Sequence, residues 1–167
     1  MRRQIGLWLV VLVVLGFVNY AVVQKELLIR NGTLLLLEIG PRDPRSLIQG
    51  DYMAIRYRMP AQIRLDELPH SGQLVVQRSA NGAGEVLGVY DGQTPLAADE
   101  LLVNFYQRAG DIEIGATSFF FQEGQAETYQ AARYGELRVA ASGEAILVGL
   151  ADQNFKTLGA AYVDVNP

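Results

Sequence analysis

The 167-residue chain has no cysteine, one histidine and, among its 14 basic residues, only two lysines. Without cysteine there are no disulfide staples and no thiolate metal sites. An oxidising compartment fits that absence without being required by it. With His70 alone, in the loop-like stretch LPHSG, a zinc site would need carboxylates for most of its ligands. Positive charge is scarce too. Setting aside Arg2 and Arg3, the residues after Val23 carry 14 − 2 = 12 basic against 18 acidic side chains, a net charge of −6. That is the wrong sign for tracking a phosphate backbone, so no nucleic acid is expected as a partner.

Charge is also absent from one long run. Ile5 to Val23 holds 19 residues without a charged side chain. As a helix this run spans about 28 Å, close to the roughly 30 Å hydrocarbon core of a bilayer. A cleaved signal peptide is the alternative, with Arg2 and Arg3 as its positive end. Its apolar region would be about 7–15 residues long and close at a small-x-small site, which NYAVVQKE does not offer. The expectation is therefore an uncleaved anchor over residues 1–24 with a short cytoplasmic N-terminus, and an outer domain over 25–167. Arginines at the N-terminus favour the inside for that end. The bilayer is the first expected partner, and the expected location is the inner membrane with the domain outside.

Beyond the anchor, QKELLIRNG extends the helix by up to two turns before Asn31-Gly32 stops it. TLLLLEI, Thr33 to Ile39, reads as a strand buried on both faces. From Gly50 onward apolar residues recur at period two. Met53, Ile55, Tyr57 and Met59 share one face, with Ala54, Arg56 and Arg58 on the other. GQLVVQR, VLGVY, ELLVNFYQ and TSFFFQ are strands separated by Asn-Gly, Asp-Gly and Ala-Gly turns. ELRVAASGEAILVGL is a hairpin closing at Ser142-Gly143. GQAETYQAARYG, Gly124 to Gly135, has helical composition and predicts two or three turns capped by Gly135. These readings define a mainly β fold: one transmembrane helix, then a small antiparallel barrel or sandwich of about seven strands with one short helix.

Two candidate chemistries are weak on their own residues. A signal-peptidase-like serine would precede the Gly-Asp step by several residues and need a lysine soon after. Arg42 stands where that serine would be, Ser46 is displaced, and the first later lysine is Lys156, so nucleophile and base are not placed together. The carboxylate pairs Asp66/Glu67 and Asp99/Glu100 are adjacent in sequence, and neighbours on a strand point to opposite faces. Phe119, Phe120, Phe121 and Tyr129 are expected to build core rather than line a groove. Arg56, Arg58 and Arg138 are expected on a solvated strand face, with a polar strip for an acidic partner as the alternative. Glu123 suits a helix entrance.

The most patterned stretch is PRDPRSLIQGDYMAIRYRM, Pro41 to Met59. Gly50 permits a bend, Asp51 can accept backbone hydrogens within it, and Tyr52 opens a strand. Arg42, Asp43 and Arg45 can pair with Asp51 or with each other. GDYMAIRY, Gly50 to Tyr57, resembles the motif that names the GDYXXLXY family of bacterial membrane-anchored proteins, with Ile55 where the family has Leu. PRDPRSLIQ before it and the segment FFFQEGQAETYQAARYGELRVAASGEAILVGL after it resemble the same family, so the similarity runs from the anchor to about Leu150. The resemblance implies an anchored accessory subunit beside a multi-pass membrane protein and carries over no catalytic mechanism; no cofactor is expected. Gly50, Asp51, Tyr52, Ile55 and Tyr57 carry over as signature residues without an assigned role. A cell-wall glycan- or peptide-binding module is the competing expectation, and a carboxylate-based hydrolase the third.

Overall fold

The computed structural model describes residues 2–40, 52–108, 110–122 and 124–159. Helix α1, Arg2–Asn31, is followed immediately by strand β1, Thr33–Glu38. Strands β2 (Tyr52–Ala54), β3 (Ser71–Arg78), β4 (Ala83–Val89), β5 (Glu100–Arg108), β6 (Asp111–Glu113) and β7 (Ser118–Phe120) come next. Helix α2 (Ala126–Tyr129) then precedes β8 (Tyr134–Val139), β9 (Ala145–Ala151) and β10 (Thr157–Leu158). The fold is mainly β, with ten strands among the described residues rather than about seven. Short pieces such as β6 and β10 are too brief to show a period in sequence.

Within α1, Gln4–Asn31 is long and apolar enough to cross a membrane. As expected from QKELLIRNG, the helix runs on past residue 24. It continues to Asn31, where Gly32 N–H donates to Leu28 O at 2.8 Å. The last turns rest on β8 and β9. Leu28 is buried there, Lys25 pairs with Glu144 beyond the hairpin tip, and an Arg138 guanidinium N–H donates to Gly32 O at 3.2 Å. Helix and sheet thus join without a linker.

Eight strands form one sheet in the order β10-β9-β8-β1-β4-β3-β5-β6. Every pairing is antiparallel except β1 with β4, which is parallel and short: Leu36 faces Ala83 and Leu37 faces Gly84. The doubly buried reading of β1 holds, since Leu35, Leu36 and Leu37 are all at most 2 % exposed. The expected barrel does not form. Neither this sheet nor the two-stranded β2–β7 sheet closes on itself, and β10 and β6 remain edges. The large sheet is nevertheless curled. Register shifts at Val75/Val76 and Glu136/Leu137 mark bulges, which add twist and bend. The β8–β9 tip reaches β5, where Asn104 N–H donates to Gly143 O at 2.7 Å.

The hollow of this curl is the core. Leu35 and Leu37 of β1, Leu74 and Val76 of β3, Val103 and Phe105 of β5 and Leu137 of β8 fill it. Met53, Ile55 and Tyr57 cover it, together with Phe119, Phe121 and Tyr129. The expected longer helix is absent: α2 is a single turn, and Gly135 lies in β8 opposite Leu37 instead of capping a helix. Pairing of Tyr134 and Gly135 with both β1 and β9 outweighs the modest helical propensity of the preceding residues.

Candidate functional site

Arg42, Asp43, Arg45, Gly50, Asp51 and Ser46 lie outside the described residues, as does Glu123, so the turn and pairing expected of Asp43 and Asp51 fall there too. The motif residues that are described are Tyr52, Ile55 and Tyr57. The period-two expectation is met: Met53, Ile55 and Tyr57 are buried, while Ala54, Arg56 and Arg58 face out. Tyr52 pairs with Phe120 across β2–β7, and their rings meet outside at 5.7 Å. Phe120 is 75 % exposed, whereas Phe119 meets Tyr129 edge-on at 5.3 Å and Phe121 stacks on it at 4.9 Å. Three of the four expected core aromatics are therefore in or against the core, and Phe120 is not.

Tyr57 ends the motif in an unusual environment. Its ring packs on Gly135, and a Cβ at that position would lie 3.1 Å from Tyr57 Cε1 and 3.3 Å from its hydroxyl. The hydroxyl is buried and has no hydrogen-bond partner. Burial without a partner raises the phenol's pKa well above its ordinary value, so it stays protonated. A buried unpaired hydroxyl costs about 1–3 kcal/mol.

Beside Tyr57 the sheet forks. After Gly84, β4 leaves β1, and the segment from Arg56 to Arg58 takes its place: Ile39 bridges Tyr57, Arg58 N–H donates to Glu38 O at 2.9 Å and Gly40 N–H to Arg56 O at 2.8 Å. Between the diverging arms lies a cleft of about 380 Å³, lined by Glu38, Tyr57 and Arg58 on one side and by Ser79, Gly84 and Glu85 on the other. Arg58 spans 2.8 Å to Glu38, and Arg56 reaches Asp111 at 3.1 Å. Both pairs are largely exposed and are worth about 0–1 kcal/mol. The three arginines do not make one strip. Arg138 binds Gly32 O just before β1, Arg58 binds Glu38 at its end, and the six steps between these residues span about 20 Å at roughly 3.3 Å per residue.

The remaining candidates are dispersed. Asp66 and Glu67 both engage Arg64, at 3.0 and 2.9 Å, on a short 3-10 turn. Asp99 accepts from the Gln77 amide and Glu100 from Ala97 N–H, each at 2.8 Å, so these adjacent carboxylates serve turns. His70 is exposed in its loop, and Lys156 sits on the β9–β10 turn with its N–H donated to Asp152. Among the described residues no three His, Asp or Glu side chains are grouped to hold a metal ion.

One group gave no signal in sequence. Glu136 on β8 is 8 % exposed, accepts from Thr157 Oγ1 at 2.7 Å and lies over Gly149, its cross-strand neighbour. Only the β8–β9 register brings a residue without a side chain opposite it. Desolvation raises its pKa above the ordinary 4.5, against the opposing pull of Thr157 and Arg138. A raised carboxyl pKa means that the folded chain holds this proton more tightly than the unfolded chain. The group's contribution is greatest below its ordinary pKa and is lost as pH rises through the raised value. Glu136→Gln is therefore expected to melt higher than the parent near neutral pH, with the gap shrinking toward about pH 4. A variant that is less stable at neutral pH than at acid pH, relative to the parent, would show that the ionised carboxylate is favoured in place.

These features define a mainly β protein on one N-terminal apolar helix, whose motif strand roofs the core of a curled sheet. The chain belongs to the GDYXXLXY family: the family model described as GDYXXLXY protein matches residues 14–150. No curated protein and no solved structure matches it.

Proposed function

We propose that this is a non-catalytic, single-pass protein of the bacterial inner membrane, with its N-terminus inside and its β-part on the outer side, serving as an accessory subunit of a membrane-protein assembly in the envelope. The observation that carries the reading is the fate of the motif. Ile55 and Tyr57 are used as core, and among the described residues the cleft beside them brings no histidine or lysine to Ser79, while its Glu38 is tied to Arg58. A linker-free joint supports a fixed position next to the membrane, which suits a subunit more than a tethered, searching enzyme. Isolation in mild detergent is the test: stable co-purification with a multi-pass protein supports the reading, and a lone protein that sediments with cell wall overturns it.

A peptide-binding role is the second reading, favoured by the cleft itself. Among the described residues no strand lies beside β4 past Gly84 on that edge, and an extended chain could pair there by adding a strand. For topology, a reporter fused after Pro167 is expected to be active only outside the cytoplasm, because the N-terminal arginines remain inside. Activity of that fusion in the cytoplasm, or a mature N-terminus near residue 24, would remove the anchor from the proposal.

A further inference from the structure

We infer that α1 carries a self-association face centred on Gly16 and Asn19, through which two copies of this chain pack side by side in the membrane. The inference rests on reading α1 as a membrane span.

Asn19 is the only amide side chain between Ile5 and Val23. Four residues before the end of that run, it lies about 6 Å inside the apolar boundary. Its Nδ2 donates to Leu15 O at 2.8 Å, which aims the amide back toward the middle of the span instead of out to water. Among the described residues the second N–H and the Oδ1 lone pairs have no partner. Hydrocarbon offers none, and polar groups at such depth are found facing other helices. One turn earlier is Gly16, where a Cβ would meet nothing within 4 Å. Small residues on such faces allow helix backbones to approach closely.

Gly16 and Asn19 belong to one seam. Ile5, Leu9, Leu12, Gly16, Asn19 and Val23 alternate spacings of four and three, the pattern of a two-stranded helix contact. The seam is also unobstructed. Leu28, which docks α1 on the sheet, comes nine residues after Asn19, and at about 100° per residue that is half a turn away. The β-part therefore sits behind the helix with respect to this face. Two copies can meet along it with their sheets on the outside.

A second copy is the occupant that the chemistry selects. An amide both donates and accepts, so Asn19 is complementary to itself. Two copies inserted in the same direction carry residue 19 at the same depth without further adjustment, whereas a foreign helix must supply its own polar group at that level. A single asparagine at such a position also sets the register of parallel helices.

The absence of cysteine makes the test direct, because an introduced thiol is unique. The full chain, kept in native membranes, is given Leu12→Cys or Val23→Cys on the seam, or Val14→Cys on the opposite side, and treated with a mild oxidant. Disulfide-linked dimer is expected from the two seam positions and not from Val14→Cys. Adding Asn19→Leu to Leu12→Cys should reduce the dimer about threefold to tenfold, as expected for one interhelical hydrogen bond, while Asn19→Gln should retain it. Equal linkage at Val14→Cys, no dimer from either seam position, indifference to Asn19→Leu, or an adduct with a different protein would each overturn the inference. The readout is separable from the proposed function. A reporter after Pro167 that is active outside without seam dimers removes this inference alone, and a cytoplasmic reporter removes the span itself. Seam dimers without a co-purified multi-pass protein remove only the accessory role.

Discussion

Tyr57→Ala is expected to destabilise the β-part by about 3–5 kcal/mol, the usual cost of emptying a large aromatic site in a core. The ring spans from the motif strand to β8, where Gly135 has no side chain to refill the space. Tyr57→Phe should behave in the opposite way. It removes the buried hydroxyl that has no partner and keeps the ring, so stability should be unchanged or slightly higher. Denaturant unfolding of both variants in the same detergent checks the pair. Loss of more than about 1 kcal/mol in Tyr57→Phe would mean that the hydroxyl makes a hydrogen bond after all. A stable Tyr57→Phe that loses its membrane partner would instead assign the motif's last hydroxyl to function, and the core reading of Tyr57 would then be incomplete.

Gly115→Ala should be the second large effect, at about 2–5 kcal/mol. Two causes add. Gly115 has φ +66°, where a Cβ costs about 1–2 kcal/mol. An added Cβ would also stand 3.2 Å from Ala145 O and 3.3 Å from Leu147 N, backbone atoms that cannot rotate away, and overpacking of this kind typically costs about 1–3 kcal/mol. The position matters because it is where the chain leaving β6 closes against β9 and completes the curl. Gly88→Ala is the control: nothing lies within 4 Å of its Cβ position and its φ is not positive, so an effect within about 0.5 kcal/mol is expected. If thermal melting shows Gly115→Ala as mild as Gly88→Ala, contact between the two ends of the sheet is not what holds the curl.

Particular stretches show how far local pattern reaches. An uncharged run of 19 residues can only be satisfied as a helix in an apolar medium or as a buried one, and that is legible without any partner segment. The alternation from Met53 to Arg58 likewise names its own inner and outer faces, and the structure keeps them. Turn residues at Asn81-Gly82, Asp91-Gly92 and Ser142-Gly143 carry their backbone preferences within themselves. For these elements the cause lies within a few residues, so the sequence by itself determined them: an apolar span, short strands between turns and a half-buried motif strand.

Partner-dependent features could be decided only by the tertiary structure. Gly124 to Gly135 has helical composition, yet only one turn survives, because Gly135 is claimed by β1, β9 and the Tyr57 ring. Phe120 differs from its aromatic neighbours only in facing away from the core, a choice made by its pairing with Tyr52. The burial of Glu136 depends on the residue that β9 places opposite it, and the β1–β4 fork depends on a segment some 20 residues beyond β1 arriving beside Ile39. An open curl instead of a closed barrel follows from the same cause. Strand alternation specifies which side of each strand is wet, but registers and end contacts are properties of pairs of segments, and no single segment contains them.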